Sequence, residues 1–332
     1  MTIGFPLEPD QIEAIKRVSP LLRITELSPE AFRVLVAWDE PQAAVDEEIR
    51  AGIEGAEVIF SSMHRPEYLR HATRLSWLQL FSAGADRLMS SMRDGMIANN
   101  FTVTNVSGLH ATSIGEYVMG TMIMFSKNLH SAVRDQTKHE WNPGWISELK
   151  GATVGVVGMG AIGSEVAQMS KAFGMRVLGM RRSVQTRGSD PLADEVFPPS
   201  ELRGLLGESD YVVLVVPLTP ATTGLIGEVE LAAMKPSAFL INVSRGAVID
   251  DEALLRSLRQ NGIGGAALDV FAQEPLPANS PFWDLPNVIV TPHISGRIKD
   301  YGSRATEIFI RNLERYIKGE PLFNAVDVED GY

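Results

Sequence analysis

The sequence predicts an α/β protein built on doubly wound parallel sheets, and three observations support this fold class. Short β-branched runs alternate with helical stretches along the chain. A glycine-rich segment, Gly158–Gly163, directly follows one of these runs. The chain has 332 residues, which is more than one hydrophobic core usually serves, so we expect two domains.

The predicted strands fall into two series. Those of the first series are Val34–Ala37, Val58–Phe60, Leu78–Phe81 and Val103–Asn105. Those of the second series are Val154–Val157, Val177–Met180, Tyr211–Val216, Phe239–Val243, Ala266–Asp269 and Val288–Val290. Helical stretches separate the six strands of the second series, so we expect a doubly wound sheet with ligand sites at the strand carboxyl ends.

Apolar periodicity predicts three longer helices, and proline marks two irregular connections. A helix over Ile114–Val133 follows the first series, and another over Ala161–Phe173 is ended by Gly174. A third covers Ser303–Lys318 and is expected to return to the first domain. The segments Trp141–Trp145 and Ser183–Pro199 are predicted to be irregular, because both contain proline and the second also contains acidic residues.

The composition narrows the functional classes. A net charge of −11 argues against nucleic acid or an anionic membrane as a partner. The first twenty residues contain three acidic residues and no apolar run, so we expect neither a signal peptide nor a membrane anchor. The absence of cysteine excludes disulfides, a thiolate nucleophile and a thiolate metal site. We therefore expect a cytoplasmic protein without a metal centre.

The segment from Val154 to Gly163 places the spacing Gly-x-Gly-x-x-Gly between a strand and a helix. The first glycine allows a tight turn, the second lets a pyrophosphate approach the backbone, and the third lets the helix pack on the strand. The helix N-terminus supplies amide donors to the phosphates. This context predicts a Rossmann dinucleotide-binding domain, although a glycine-rich turn without a ligand is the plainer alternative. The predicted contacts are Gly158, Met159, Gly160, Ala161, Ile162 and Gly163.

The strand after this helix ends in Arg181-Arg182-Ser183, where an NAD site usually carries an acidic residue. Two guanidinium groups and a hydroxyl suit a 2′-phosphate, because arginine binds phosphate oxygens in a planar fork. We therefore predict that NADP(H) is preferred. The alternative is a solvated strand end and an enzyme that also accepts NAD(H).

Three polar residues lie just beyond later strands. Arg245 follows Phe239–Val243, Glu274 follows Ala266–Asp269, and His293 follows Val288–Val290. Reduction of a keto carbon places negative charge on its oxygen, so a nearby imidazole can donate the proton while a carboxylate orients it. An arginine can clamp the substrate carboxylate and polarise the carbonyl. Separately, each residue could be structural; together they predict His293 as acid/base, Glu274 as its partner and Arg245 as the substrate clamp.

These motifs resemble those of the D-isomer-specific 2-hydroxyacid dehydrogenase family, and most closely those of its NADPH-linked glyoxylate/hydroxypyruvate reductases. The matching segments are Gly158–Gly163, Pro217–Gly224, Asn242–Gly246, Leu268–Val270, Glu274–Pro277 and Thr291–His293. The resemblance implies reduction of a small 2-keto acid such as glyoxylate or hydroxypyruvate, by a homodimer. It also implies further cofactor contacts from Val216, Pro217, Thr222, Val243, Ser244, Asp269, His293 and Gly296.

The resemblance also implies the domain arrangement. A flavodoxin-like substrate domain is expected from residues 1–108 and 298–332, with the Rossmann domain at 109–297 between them. In the first domain, Ser82, Ala83 and Gly84 match the loop whose backbone amides bind the substrate carboxylate, and Arg245 binds the same substrate. Small residues suit such a loop because the backbone must approach the ligand.

Two other functions remain open from the sequence. The same chemistry on a bulkier keto acid would use apolar surface, for which the candidates are Trp38, Phe81, Met89, Trp141 and Trp145. A nucleotide-sensing protein related to the corepressors of this fold would bind the dinucleotide without turnover.

Overall fold

The computed structural model describes residues 1–36, 43–62, 65–97 and 100–327, apart from the side chain of Arg87. The predicted positions Ala37 and Trp38 lie outside these ranges. The chain forms two compact units. Unit 1 contains residues 1–109 together with the chain from Lys299 onward, and unit 2 contains His110–Ile298.

Unit 1 is built on a parallel sheet of five strands, with order β2-β1-β3-β4-β5. The strands are β1 (Thr2–Ile3), β2 (Thr25–Glu26), β3 (Val58–Ser61), β4 (Trp77–Leu80) and β5 (Thr102–Thr104). Its first helices are α1 (Pro9–Lys16), α2 (Pro29–Val36), α3 (Ala43–Glu54) and α4 (Asp86–Arg93). This strand order is that of flavodoxin-like folds, as predicted. Every residue of β3 and β4 is buried, as expected of strands covered on both faces.

The predicted strand Val34–Ala37 is wrong, because residues 29–36 form α2. Pro29 can occupy a first helical turn, and Ser28 Oγ accepts a hydrogen bond from the amide of Ala31 at 3.1 Å. Ala31, Val34 and Leu35 are buried, which is helical spacing. The four consecutive apolar residues Val34–Ala37 could not distinguish a strand from the end of a short buried helix.

Unit 2 contains the remaining strands and most of the helices. The strands are β6 (Thr153–Val157), β7 (Arg176–Met180), β8 (Gly188–Asp190), β9 (Ala193–Phe197), β10 (Tyr211–Leu214), β11 (Phe239–Asn242), β12 (Gly265–Leu268) and β13 (Val288–Val290). The helices are α5 (Ala111–Ser126), α6 (Leu129–Lys138), α7 (Ala161–Ala172), α8 (Leu202–Glu208), α9 (Glu228–Ala233) and α10 (Asp251–Arg259). Apart from residues 34–37, the predicted strands are confirmed, with ends that differ by up to two residues.

The sheet of unit 2 has the order β13-β12-β11-β10-β6-β7-β9-β8. Six of these strands, in the order β9-β7-β6-β10-β11-β12, have the Rossmann order 3-2-1-4-5-6. The segment Ser183–Pro199, predicted as a loop, instead contains β8 and β9. Strand β9 pairs in parallel with β7, and β8 pairs antiparallel with β9. Strand β8 consists of Gly, Ser and Asp, so it lacks the apolar run that predicts a strand.

The predicted helix Ile114–Val133 is also wrong in its length. It is divided into α5 and α6 at Lys127–Asn128, where Asn128 has a φ of 53°. Asparagine tolerates this left-handed conformation better than most residues, so the chain can turn there. Helix α5 buries eight residues, whereas α6 buries none.

The last helix, α11 (Tyr301–Lys318), belongs to unit 1 and packs against α1. Ala305, Phe309 and Leu313 face the core at spacings of four residues. Phe309 stacks on Phe60 with ring centroids 4.2 Å apart. Among the helices in the described part of the chain, none combines the length and apolar composition that crossing a bilayer requires.

Candidate functional site

The glycine loop between β6 and α7 is shaped by close backbone contacts. Gly158 has a φ of +109°, and a Cβ atom there would lie 2.8 Å from the carbonyl oxygen of Val215. A Cβ atom at Gly163 would lie 1.9 Å from the carbonyl oxygen of Gly158. At Gly160, by contrast, a Cβ atom would meet nothing within 4 Å. Gly158 and Gly163 therefore allow close packing. Gly160 leaves open space beside the helix N-terminus, as an approaching pyrophosphate requires.

The strand after the glycine helix carries the predicted phosphate-binding residues. Arg181 Nη1 lies 3.2 Å from Asp190 Oδ2, and its Nη2 donates to the carbonyl of Met159 at 3.5 Å. Arg182 and Ser183 are exposed. Asp190 thus fixes the Arg181 side chain against the glycine loop. Sequence reasoning missed Asp190, because it lies in β8, within the segment predicted as a loop.

The loops after β10 and β11 complete the predicted nucleotide surface. Val216 lies beside Gly158, since its Cγ1 would be 3.0 Å from a Cβ atom there. Thr222 Oγ1 donates to the carbonyl of Pro217 at 2.6 Å, which braces this loop from within. Val243 and Ser244 are buried. Ser244 Oγ donates to Asn242 Oδ1 at 2.7 Å, so Ser244 supports the turn that leads to Arg245.

The structure pairs two of the predicted catalytic residues. His293 Nδ1 lies 2.7 Å from Glu274 Oε2, and the imidazole side chain is 51% exposed. Glu274 Oε1 accepts the backbone amide of Phe271 at 3.0 Å, which fixes the carboxylate. With Nδ1 directed at Glu274, the second ring nitrogen, Nε2, is left to exchange a proton with a ligand.

Arg245 lies after β11 with its side chain half-buried. Its Nη1 donates to the carbonyl of Ser244 at 2.8 Å, and Asn242 Nδ2 donates to the carbonyl of Arg245 at 3.1 Å. A Cβ atom at Gly246 would lie 1.8 Å from the carbonyl carbon of Phe271. The segment after β11 therefore packs directly against the segment that leads to Glu274.

Asp269 is fully buried, and its oxygens accept several hydrogen bonds. Oδ1 accepts from Thr291 Oγ1 at 2.6 Å and from the amide of Ile294 at 2.9 Å. Oδ2 accepts from the amide of Ser295 at 2.9 Å. The backbone carbonyl of Asp269 accepts from the amide of His293 at 2.9 Å. Besides its predicted contact with the cofactor, Asp269 thus organises the loop that carries His293.

Sequence reasoning missed His110, which lies just before α5. Its Nδ1 is 2.9 Å from the carbonyl oxygen of Gly296, another predicted cofactor contact. Burial lowers the pKa of His110 below its usual range; the hydrogen bond with Gly296 opposes this shift, and the charge of Arg245 adds to it. His110 was not predicted as a site residue because the predicted helix began at Ile114, four residues after it.

In unit 1, the loop after β4 has its carbonyl groups turned into the protein. Tyr301 donates its hydroxyl to the carbonyl of Phe81. Asn105 Nδ2 donates to the carbonyl of Ala83 at 2.8 Å, and Ser82 Oγ donates to that of Gly84 at 2.8 Å. Within the described ranges, no acceptor is found for the amides of Ser82, Ala83 and Gly84. Such a row of unused amides suits an anion such as a carboxylate.

Four of the residues considered for a bulkier substrate lie in the described ranges, and their exposure differs. Met89 is fully buried in the core of unit 1. Phe81 is half-buried and packs against Phe5, with ring centroids 3.9 Å apart. Trp141 and Trp145 are exposed in the connection after α6, which is irregular as predicted.

Comparison with known proteins gives consistent results. Residues 119–295 match the family described as "D-isomer specific 2-hydroxyacid dehydrogenase, NAD binding domain". A glyoxylate reductase of Pyrococcus furiosus is 32% identical over 300 residues, covering 88% of this chain and 88% of the relative. A glycerate dehydrogenase of Methylorubrum extorquens is 31% identical over 290 residues, covering 83% and 87%.

Solved structures agree with the sequence relatives. An NADPH-dependent glyoxylate/hydroxypyruvate reductase from Sinorhizobium meliloti, in complex with NADP and sulfate, superposes with a TM-score of 0.81. That comparison covers 100% of this chain and 99% of the other chain, at 26% sequence identity. The fold is thus shared over the length of both chains.

Proposed function

This chain belongs to the D-isomer-specific 2-hydroxyacid dehydrogenase family, and we propose that it is an NADP(H)-preferring reductase of small 2-keto acids. The protein is an oxidoreductase that acts on 2-hydroxy acids and contains an NAD-binding domain. Glyoxylate and hydroxypyruvate are the proposed substrates, since relatives carry these names. A cytoplasmic location remains a prediction from the sequence.

The observation that carries the proposal is the pair formed by His293 and Glu274. The 2.7 Å contact orients the imidazole, while half of the ring surface remains accessible. In reduction, His293 Nε2 would donate a proton to the keto oxygen; in oxidation, it would accept the hydroxyl proton. Glu274 stabilises the protonated imidazole between these steps.

Arg245 and the loop after β4 are proposed to bind the substrate. The guanidinium group of Arg245 would hold the carboxylate and polarise the keto oxygen, because it offers several donors in one plane. The amides of Ser82, Ala83 and Gly84 would bind carboxylate oxygens. Asn105 and Tyr301 support this role by holding the loop carbonyls away from the anion.

The glycine loop is proposed to hold the dinucleotide. The open space at Gly160 and the N-terminus of α7 fit its pyrophosphate. Val216, Pro217 and Thr222 would line the nucleotide, and Asp269 would meet the nicotinamide carboxamide. When bound, the nicotinamide ring supplies or accepts the hydride.

The preference for NADP(H) is supported by the charges at the end of β7. Arg181, Arg182 and Ser183 place two guanidinium groups and a hydroxyl there. Asp190 fixes Arg181 without occupying a position at the strand end itself. The related reductase from Sinorhizobium meliloti was solved with NADP.

The test is oxidation of NADPH and NADH by the purified protein with glyoxylate, hydroxypyruvate, pyruvate and phenylpyruvate. We expect turnover with NADPH and glyoxylate or hydroxypyruvate, and weak turnover with phenylpyruvate. In the double variant Arg181→Gln/Arg182→Gln, the Kd for NADPH should rise about 10- to 100-fold, which corresponds to the net loss of one charged hydrogen bond of about 1.5–3 kcal/mol. The Kd for NADH should change far less.

The matched control for the double variant is Arg187→Gln. Arg187 follows closely in sequence but is held by Glu201 and stacks over Phe197, so neither Kd should change. Equal weakening of both nucleotides in the double variant would contradict the 2′-phosphate assignment. Tight binding of NADPH without turnover of any keto acid would instead favour a nucleotide-sensing protein.

We also propose that the protein is a homodimer. Helix α6 buries none of its residues, and the connection after it exposes Trp141 by 94% and Trp145 by 99%. Leu129 and Val133, four residues apart on α6, are exposed as well. Together with Ile146, these residues form what we call the apolar arm. Exposed apolar surface of this kind marks interaction sites, and a twofold axis lets two copies cover the same patch.

Sedimentation equilibrium should give twice the chain mass of 36.3 kDa. The variant Trp141→Lys/Trp145→Lys should shift the protein toward the monomer, since charge replaces apolar contact. Val229→Lys is the control, because Val229 is also an exposed apolar residue but lies on α9, outside the apolar arm. A monomer mass for the unmodified chain at micromolar concentration would contradict this proposal.

A further inference from the structure

The loop Thr291–Gly296 carries His293 in an unusual backbone conformation. His293 has a φ of 53°, in the left-handed region that non-glycine residues seldom adopt. Such a conformation persists only where the surrounding structure imposes it. The His293 amide donates to the carbonyls of Asp269 at 2.9 Å and Thr291 at 3.1 Å, so part of the constraint lies in the loop itself.

The carboxylate of Asp269 also constrains the backbone of the loop that carries His293. It accepts the next two amides of the loop, those of Ile294 and Ser295, each at 2.9 Å. It also accepts the hydroxyl of Thr291 at 2.6 Å. The loop therefore wraps around one buried side chain, and the position of that side chain sets the position of His293.

A second set of contacts reaches the loop from the start of α5. His110, Ser113 and Tyr117 are three and four residues apart, so they share one helix face. His110 Nδ1 lies 2.9 Å from the carbonyl oxygen of Gly296, and Ser113 Oγ donates to the carbonyl of Ser295 at 2.8 Å. Tyr117 Oη lies 2.7 Å from Thr291 Oγ1.

The direction of the Tyr117 contact follows from the proton count. Thr291 gives its single hydroxyl proton to Asp269, so Tyr117 must be the donor to Thr291. Burial raises the pKa of Tyr117 to about 12, which keeps this proton in place at neutral pH. The chain Tyr117 to Thr291 to Asp269 thus links α5 to the residue around which the loop is wrapped.

We propose that Tyr117, supported by Ser113 and His110, is a positioning residue for the reaction: it holds the loop so that His293 stays in its left-handed conformation. The inference rests on the proposed role of His293 as acid/base. Among the described residues, the Tyr117 hydroxyl contacts Thr291 and none of Arg245, Glu274 and His293. It acts through Thr291 and Asp269.

The test is Tyr117→Phe, which removes the hydroxyl and keeps the ring. We expect kcat to fall about 10- to 10²-fold, the loss that a small misplacement of a catalytic group causes. KM for the keto acid and Kd for NADPH should stay near those of the unmodified enzyme. Hydrogen–deuterium exchange, followed by mass spectrometry on the free protein, should be faster at Ile294 and Ser295. Ser113→Ala should show the same changes to a smaller degree.

Thr121→Val is the matched control. Thr121 is a buried hydroxyl one turn further along α5, and it donates to Val118 of its own helix at 2.8 Å. Its loss should lower stability without changing kcat or loop exchange.

Three results would overturn the proposal: unchanged kcat in Tyr117→Phe, a fall in kcat without faster loop exchange, or equal changes in Thr121→Val. The exchange measurement needs no turnover, so it still decides whether α5 holds the loop if substitution of His293 shows that the proposed chemistry is wrong.

Discussion

Replacing His293 by asparagine should lower kcat by about 10²- to 10⁴-fold, the usual contribution of a positioned general acid. Asparagine is the informative choice because it tolerates the left-handed backbone, with φ of 53°, that His293 adopts. The substitution then removes the imidazole without releasing the loop. Turnover of glyoxylate and hydroxypyruvate gives kcat, and titration of nucleotide fluorescence should show that NADPH still binds.

The chain offers a close control for this variant. His139, at the end of α6, is also a histidine in the left-handed region, with φ of 57°. His139→Asn should leave kcat unchanged. A second variant, Glu274→Gln, keeps an oxygen that can accept the Phe271 amide but removes the charge that faces the imidazole. It should reduce kcat less than His293→Asn, and full activity of His293→Asn would refute the assignment.

Replacing Arg245 by alanine should lower kcat/KM for the keto acid by about 10²- to 10³-fold, the range for loss of one electrostatic donor to the reacting oxygen. The Kd for NADPH should be unaffected. In Arg245→Lys the charge remains but the planar fork is lost, so KM should recover more than kcat. Added guanidinium ion should restore part of the activity of Arg245→Ala, because it supplies the missing group.

Arg256→Gln is the control for the loss of positive charge. Arg256 lies exposed on α10, where its Nη2 is 3.5 Å from Glu228 Oε2. It should leave kcat/KM unchanged. A normal KM and kcat in Arg245→Ala would show that another group binds the substrate.

The strands that the sequence predicted correctly are those whose apolar runs were bounded by turn residues. The run Val154–Val157 is buried on both sheet faces, whereas Val288–Val290 forms an edge strand that is only partly buried. The errors have local physical causes. The stretch Val34–Val36 is apolar because it ends a short buried helix. Asn128 divides the stretch that was predicted as one helix, although its apolar residues continue on both sides.

In the candidate site, the sequence predicted the residues whose side-chain chemistry suits the reaction. It did not predict the residues that act by contacting and holding another side chain. Arg245, Glu274 and His293 carry recognisable chemistry at strand ends, and the structure places His293 beside Glu274. Asp190 acts through Arg181, on the neighbouring part of the sheet, and Tyr117 acts through Thr291, which is distant in sequence. No local pattern marks such contacts, because they depend on how the strands and helices are packed.

The contact between His110 and Gly296 joins residues close to the two ends of unit 2. Unit 2 therefore leaves and rejoins the rest of the chain at neighbouring points, the geometry of a domain inserted into a loop of its host. The host is completed late: the amide of Asn105 donates to the carbonyl of Asn324, and Asn312 Nδ2 donates to Gln79 Oε1. During synthesis, all of unit 2 is made before α11, so it can fold first. The strands of unit 1 can pack against α11 only after that helix has been made.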